Sequence, residues 1–308
     1  MELRVIGRGV LAGFIAGVLG FVFARILAEP QIDKAIDYES GRDEWLHALN
    51  KAAGFAVEPD GPEIFSRHIQ STVGIATGII GFSMAMGALC AVAYVVLHGR
   101  FGIKAQTLAW MIGGFGFLGV FMLPFVKYPA NPPAIGHDFT IVQRGHLYLT
   151  MVGISLVLLG ATVFAAYKLT ARFGRYPAIL MSAAGFLVIF SIVLAVMPTL
   201  GSLSENADHV KNFGFAHSTT ETPQPITNVL DRPLTVTLDD GATQTIQPGQ
   251  IVYPGFDADV LWKFRWYSML NQLLIWTVVA MIFGALMDRL ISGKPVLPRR
   301  RKDQPVSV

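Results

Sequence analysis

Cysteine is nearly absent from this chain and charge is scarce. The single cysteine, Cys90, sits inside an apolar stretch, which excludes an intrachain disulfide and any thiolate cluster for zinc or iron–sulfur. Close packing among small residues is its expected role. Only 15% of the 308 residues are charged while 53% are hydrophobic, so two soluble domains would leave far too much apolar surface in water. Mean hydropathy is +0.51, and that surplus must face lipid. Catalytic signatures are missing as well. There is no Gly-x-x-x-x-Gly-Lys-Ser/Thr to make a built-in ATPase, no His-Glu-x-x-His, no nucleophile elbow and no acid pair inside an apolar run. An enzyme is not expected. A net charge of +3 is too small for nucleic-acid binding, and the run Arg299, Arg300, Arg301, Lys302 follows an apolar segment, where it suits a membrane-flanking anchor.

What remains is apolar sequence in long runs. A helix needs roughly 20 apolar residues to cross the hydrocarbon core. Six stretches qualify: Val5 to Ala28, Ser71 to Leu97, Leu108 to Val126, Gly145 to Tyr167, Ala178 to Val196 and Tyr267 to Leu290. The expected fold class is therefore an all-α integral membrane protein of about six transmembrane helices with a small extracytoplasmic β-hairpin insertion. Arg4 and Arg8 precede the first run as in a signal peptide, but the run continues past Phe23 without a small-x-small cleavage site, so it is read as a retained helix. Gly9, Gly13 and Gly17 share one face of that helix and invite a close partner, and Gly74 with Gly78 repeats the pattern in the second. Gly114-x-Gly116-x-x-Gly119 matches a dinucleotide fingerprint, but no strand precedes it within its apolar run, and helix packing is the better reading. Residues 1–200 are expected to form a five-helix membrane region with two outer loops, 201–258 an outer loop with the hairpin, 259–294 an interfacial segment and the last span, and 295–308 a basic cytoplasmic tail.

Basic residues set the orientation. Arg4 and Arg8, then Arg100 and Lys104, then Lys168, Arg172 and Arg175, and the C-terminal run all fall on one face, which the positive-inside rule makes cytoplasmic. The expected location is a bacterial inner membrane with both termini in the cytoplasm. Outside lie three connections, the first of which carries nine acids against four bases between Glu29 and Arg67. Pro30 suits the first turn of a new helix there. Glu29, Asp33 and Asp37 recur every four residues and align on one stripe, able to attract a divalent cation; the plainer reading is a solvated acidic face with Arg25 paired to Glu29. The second connection runs Tyr128-Pro129-Ala130-Asn131-Pro132-Pro133-Ala134-Ile135-Gly136-His137-Asp138, a segment stiffened by three prolines, and His146 begins the next helix. The third connection places Asp239-Asp240-Gly241 between alternating segments, a hairpin signal. His209 and His217 precede it and are weaker ligand candidates.

Three segments carry a family resemblance: Glu29-Pro30 with Ile32-Asp33-x-Ala35-Ile36, Tyr128 to Gly136 as written above, and Ala258-Asp259-Val260-Leu261-Trp262-Lys263-Phe264-Arg265. In that order they resemble the CbtA family, the predicted cobalt transporter subunits of bacteria. The resemblance implies a membrane component of cobalt uptake for cobalamin synthesis, with Co2+ as substrate and no permanently bound cofactor. It further implies a small, histidine-bearing membrane partner of the CbtB type; a homo-oligomer is also possible, and no nucleic acid is involved. The family is usually described with five spans, against six counted here, and the stretch 201–254 is longer than the family leads one to expect.

Glu29, Asp33, His68, His137, Asp138 and His146 are the candidate metal ligands, since cobalt(II) accepts mixed nitrogen and oxygen donors. The spans are almost free of ionisable residues apart from Arg25 and Asp288 near their ends, so no midplane ion relay is expected. A second class of function, a membrane scaffold binding partner helices and a peripheral protein, is compatible with the same residues. Bis-histidine haem binding is disfavoured because His98 and His146 fall near helix ends on opposite faces.

Overall fold

The computed structural model describes residues 2–55, 65–209, 215 and 220–293. His217 and the basic tail lie outside the described residues, as does the side chain of His209. The described residues form ten α-helices: α1 (Glu2–Phe23), α2 (Glu29–Ala53), α3 (Arg67–Ile69), α4 (Ile75–Leu97), α5 (Ala105–Gly116), α6 (Leu123–Lys127), α7 (Ile141–Phe173), α8 (Arg175–Val196), α9 (Ser204–His209) and α10 (Ala258–Ile291). Among the described residues six helical runs are long and apolar enough to cross a membrane: Glu2–Ala53, Arg67–Leu97, Ala105–Lys127, Asp138–Phe173, Arg175–Ala207 and Ala258–Ile291. The glycine-rich third span is among them.

Two of these runs carry a proline that a regular helix rejects, because the ring lacks an N–H and collides with the carbonyl four residues back. Pro30 follows a π-helical turn at Ala24–Ala28, and Pro124 follows another at Phe117–Met122. The wider π turn relaxes the backbone just where the proline needs space, so the helical run continues through it. Pro30 does occupy the first turn of α2, but α2 continues directly from α1.

The helices group into two compact units that are discontinuous along the chain. The first comprises Met1–Phe23, His68–Leu118 and Leu270–Val308, and the second Ala24–Arg67 with Gly119–Met269. In the first, α1 lies against α4 backbone to backbone. A β-carbon on Gly17 would stand 2.7 Å from the Ile80 Cα, and one on Gly87 would overlap the Gly9 carbonyl. Gly74 and Gly78 do not take the mirrored part assigned to them. Gly78 meets nothing within 4 Å and Gly74 only the Ile69 carbonyl of its own run, while Ser83 and Gly87 face α1 instead. In the third span, a β-carbon on Gly113 would lie 2.7 Å from the Ala280 β-carbon, and one on Gly116 would overlap the Trp276 ring. Close packing thus accounts for two of the fingerprint-like glycines, Gly116 and Gly119, the latter against the Leu156 side chain, while a β-carbon on Gly114 meets nothing within 4 Å.

In the second unit α7 and α8 pair around Tyr128, Met151, Leu158 and Phe190. Their outward faces leave Val157, Val163, Leu180 and Leu187 exposed, as a lipid-facing surface requires. The expected hairpin is present: β2 (Leu234–Thr237) pairs antiparallel with β3 (Thr243–Ile246), and Gly241 takes φ +83° in the turn between them. A second pair, β1 (Ile226–Thr227) with β4 (Ile251–Tyr253), flanks it. Buried Asn228 joins the two pairs, its Nδ2 donating to the Arg232 and Ile246 carbonyls at 3.0 and 3.1 Å. Ala48 and Leu49 of α2 pack with Ile226, Leu234, Val236 and Ile246 into one core, so the polar half of α2 belongs to this cap.

Candidate functional site

The three segments that carried the family resemblance converge in the second unit. Ala35 from the first, Ile135 from the second and Val260 from the third pack with Phe256 as one buried cluster. Arg265 fastens the third segment to the second: its Nε donates to the Ala130 carbonyl at 3.2 Å and its Nη2 to Asn131 Oδ1 at 2.8 Å. Prolines give the loop rigidity but remove donors, so its position depends on such outside bonds. The loop then turns sharply. The Ile135 N–H donates to the Pro132 carbonyl at 3.1 Å, Ala134 takes φ +74° and Gly136 φ +127°. A β-carbon on Gly136 would press on the Arg144 guanidinium, the movable end of a flexible side chain, so it is the φ of +127° that favours glycine here.

His137 is buried at the end of this turn, 9% exposed. Its Nε2 lies 2.9 Å from the Thr220 carbonyl, its backbone N–H donates to Glu221 Oε2 at 3.1 Å, and Arg144 Nη2 donates to its carbonyl at 3.1 Å. Arg144 Nη1 stands 3.8 Å from the same Glu221 oxygen. These contacts make His137 an anchor for the proline loop. Burial, the largest influence, holds the imidazole below its ordinary 6.5; Glu221 and the Thr220 carbonyl oppose this, while Arg42 and Arg144 add to it. Between the lowered value and 6.5 the released histidine binds a proton that the anchored one does not. Anchoring is therefore at full strength above that interval and weakens as pH falls through it. Amide exchange across residues 129–140, corrected for intrinsic rates, is expected to quicken as pH drops from about 7.5 to about 5.5, and His137→Gln should flatten that dependence. Protection that stays constant with pH in the unaltered chain would contradict the assignment.

The acidic stripe of α2 begins at Glu29 and Asp33. Glu29 is fully buried, and its Oε1 accepts from Arg67 Nη2, which also donates to Asp33 Oδ1 at 2.8 Å. The partner of Glu29 is thus Arg67 of α3 and not Arg25 as expected from local spacing. Glu29 Oε2 has no hydrogen-bond partner among the described residues. One carboxylate is sealed away while the other is open, the Asp33 side chain being 56% exposed. Two carboxylates against one guanidinium leave a net negative charge on a group already shaped around a cation.

The remaining candidates have contacts of their own. His68, Asp138 and His146 are exposed. The His68 carbonyl accepts from Thr72 Oγ1 at 2.6 Å and the His146 carbonyl from Thr150 Oγ1 at 2.8 Å, while Asp138 opens a short 3-10 turn, Asp138–Thr140. Among the described residues no group of three or more His, Cys, Asp or Glu is placed to hold a metal ion. The bringing together of six ligands therefore reduces to a carboxylate pair sharing one arginine. Arg67 and Glu221 gave no sequence signal, because their partners lie 38 and 84 residues away and no local period links them.

Compared with known proteins, the chain matches a family model described as "Probable cobalt transporter subunit (CbtA)" over residues 2–288. That match runs straight through the hairpin-bearing stretch. No curated protein and no solved structure matches.

Proposed function

Because this chain belongs to the CbtA family of probable cobalt transporter subunits, we propose that Glu29 and Asp33 are the cation-capturing pair of a multi-pass membrane subunit for cobalt uptake, with Arg67 as the tethered cation that the metal displaces. The observation that carries this reading is the sharing of one guanidinium by two carboxylates one helical turn apart. Cobalt(II) takes oxygen donors readily and can keep part of its water shell, so two carboxylates and several waters suffice for capture. Exchange against an arginine keeps the buried Glu29 paired before and after the ion passes, which avoids the cost of an isolated charge.

The finer assignments follow the basic residues. Arg4, Arg8, Arg100, Lys104, Lys168, Arg172 and Arg175 support an orientation with both termini in the cytoplasm of a bacterial inner membrane. The capturing pair and the β-strand cap then lie outside. His68, Asp138 and His146 are proposed as weaker contacts for the approaching ion, and His137 as the residue that holds the proline loop in place. A transporter subunit works with partners, and a small histidine-bearing membrane protein of the CbtB type is the one proposed here. Co2+ is the substrate and not a resident cofactor.

Uptake of radiolabelled cobalt by cells expressing Glu29→Gln or Asp33→Asn is the test. Removing one charged acceptor from the pair should lower the initial rate by roughly tenfold or more at limiting cobalt, with unchanged abundance in the membrane. Unaltered uptake in both variants would refute the capture site. Nickel and zinc measured alongside would rank the ions.

A further inference from the structure

The chain passes between its two compact units four times, at Phe23–Ala24, Arg67–His68, Leu118–Gly119 and Met269–Leu270. The π-helical turns among the described residues are Ala24–Ala28, Gln70–Gly74 and Phe117–Met122. Each lies at one of these crossings: the first begins at its crossing, the second starts two residues beyond His68, and the third spans its crossing. Making room for a proline explains the turns before Pro30 and Pro124. It does not explain Gln70–Gly74, since α3, this turn and α4 contain no proline.

A π turn widens the helix, weakens its hydrogen-bond ladder and permits a bend. In lipid such a bend survives only where the loosened backbone groups keep partners. Side chains supply them here. Pro124 offers no N–H to the Val120 carbonyl four residues back, and Tyr148 Oη donates to that carbonyl at 3.1 Å. The His68 carbonyl, just before the second turn, accepts from Ser71 Oγ at 3.2 Å and Thr72 Oγ1 at 2.6 Å. A carbonyl with such a donor can lengthen its backbone bond without being stranded.

A hinge also needs its flexible points near one level. In the proposed orientation all four crossings fall in the outward half of their apolar runs, 5–28, 71–97, 108–126 and 267–290 or the residues directly beside them. The fourth crossing is inside the unbroken α10, which can bend gently but cannot part. We propose that the three π turns form one hinge line on which the two units rock relative to each other during transport, with α10 as the pivot. This rests on the transport reading but not on the Glu29 and Asp33 assignment. Glu29 directly follows the first turn and Arg67 stands three residues before the second, so an ion displacing Arg67 would act beside two of the hinge points.

The test follows amide hydrogen exchange of the full chain in lipid nanodiscs, together with initial cobalt uptake by cells that express it beside its native transport partners. In the unaltered chain residues 24–28, 70–74 and 117–122 are expected to exchange about tenfold faster or more than residues 190–196 of α8, a span end without a π turn. Exchange no faster than that reference would overturn the proposal, and this comparison depends on no variant folding. Pro124→Ala returns the N–H that closes the ladder onto Val120; Pro177→Ala, in the first turn of α8, is the control. Pro124→Ala is expected to slow exchange about threefold or more at all three turns and to lower the maximal uptake rate about fivefold or more. Cobalt retention by the purified variant in equilibrium dialysis should be unchanged, and Pro177→Ala should match the unaltered chain throughout. Slowing confined to 117–122 would mark a local packing turn and overturn the hinge line, as would normal uptake by a Pro124→Ala protein whose exchange has slowed. Full uptake by Glu29→Gln beside its loss in Pro124→Ala would reject the capture pair and keep the hinge. Absence of cobalt uptake in the unaltered chain and its partners would remove the transport reading and with it the proposal.

Discussion

Gly13→Ala is expected to remove the protein from the membrane fraction, while Gly7→Ala, in the same helix, leaves it at normal abundance. In a helix interior alanine is favoured over glycine by about 1 kcal/mol, so propensity alone would make both changes beneficial. Contact decides otherwise. A β-carbon on Gly13 would overlap the Ser83 carbonyl and stand 2.7 Å from the Met84 Cα, both rigid backbone, whereas one on Gly7 meets nothing within 4 Å. Relief at Gly13 requires α1 and α4 to separate. Their association in lipid depends on close van der Waals contact, since apolar side chains gain nothing by leaving lipid tails for one another. Gly9 and Gly87 on the same seam would lose their contacts together. Immunodetection in isolated membranes, with proteolysis of detergent-solubilised protein, provides the readout. Normal levels of protease-resistant Gly13→Ala protein would show that the seam is dispensable.

The stripe Gly9, Gly13, Gly17 was legible because a single residue type marks it at a helical period. Its counterpart was not, because serine is nearly as small as glycine and Ser83 with Gly87 escapes a search for glycine pairs, while Gly74 and Gly78 fit the pattern but meet no other helix. A small-residue period shows where a helix can be approached, not which helix approaches it. The six spans were readable for a stronger reason: backbone satisfaction in lipid demands long apolar helices, and nothing in the chain competes with that demand. The π turns before Pro30 and Pro124 left no separate trace.

At the candidate site, spacing singled out residues but not the partners that the fold gives them. Glu29 and Asp33 stood out by spacing, yet spacing offered Arg25, four residues away, whereas the fold supplied Arg67 across 38 residues. His137 looked like a ligand because a histidine beside an aspartate is ligand chemistry; its contacts with Thr220 and Glu221 depend on a distant segment.

Arg67→Ala should both weaken the chain and make it more responsive to cobalt. Glu29 is fully buried and its second oxygen has no partner among the described residues, so removing Arg67 strands a buried carboxylate. Breaking a buried pair from one side costs about 3–5 kcal/mol, and the 33% exposure of the Arg67 side chain places the expectation near the lower end, about 3 kcal/mol. The apparent midpoint of thermal unfolding in detergent without added metal should fall accordingly. Cobalt should then restore more stability to the variant than it adds to the unaltered chain, because no guanidinium has to be expelled before the ion meets both carboxylates. Arg67→Lys separates charge from shape, since a lysine ammonium keeps the charge but not the planar fork that bridges two carboxylates. It should lie between the two in stability and resist cobalt less than arginine does. Equal cobalt-induced shifts in all three proteins would show that the ion does not enter where Arg67 sits. Unchanged stability of Arg67→Ala without metal would show that the arginine does not hold the buried charge. With capture confirmed and release slowed, the alanine variant should bind cobalt tightly and deliver it poorly, because the tethered cation that drives the ion off the pair would be gone.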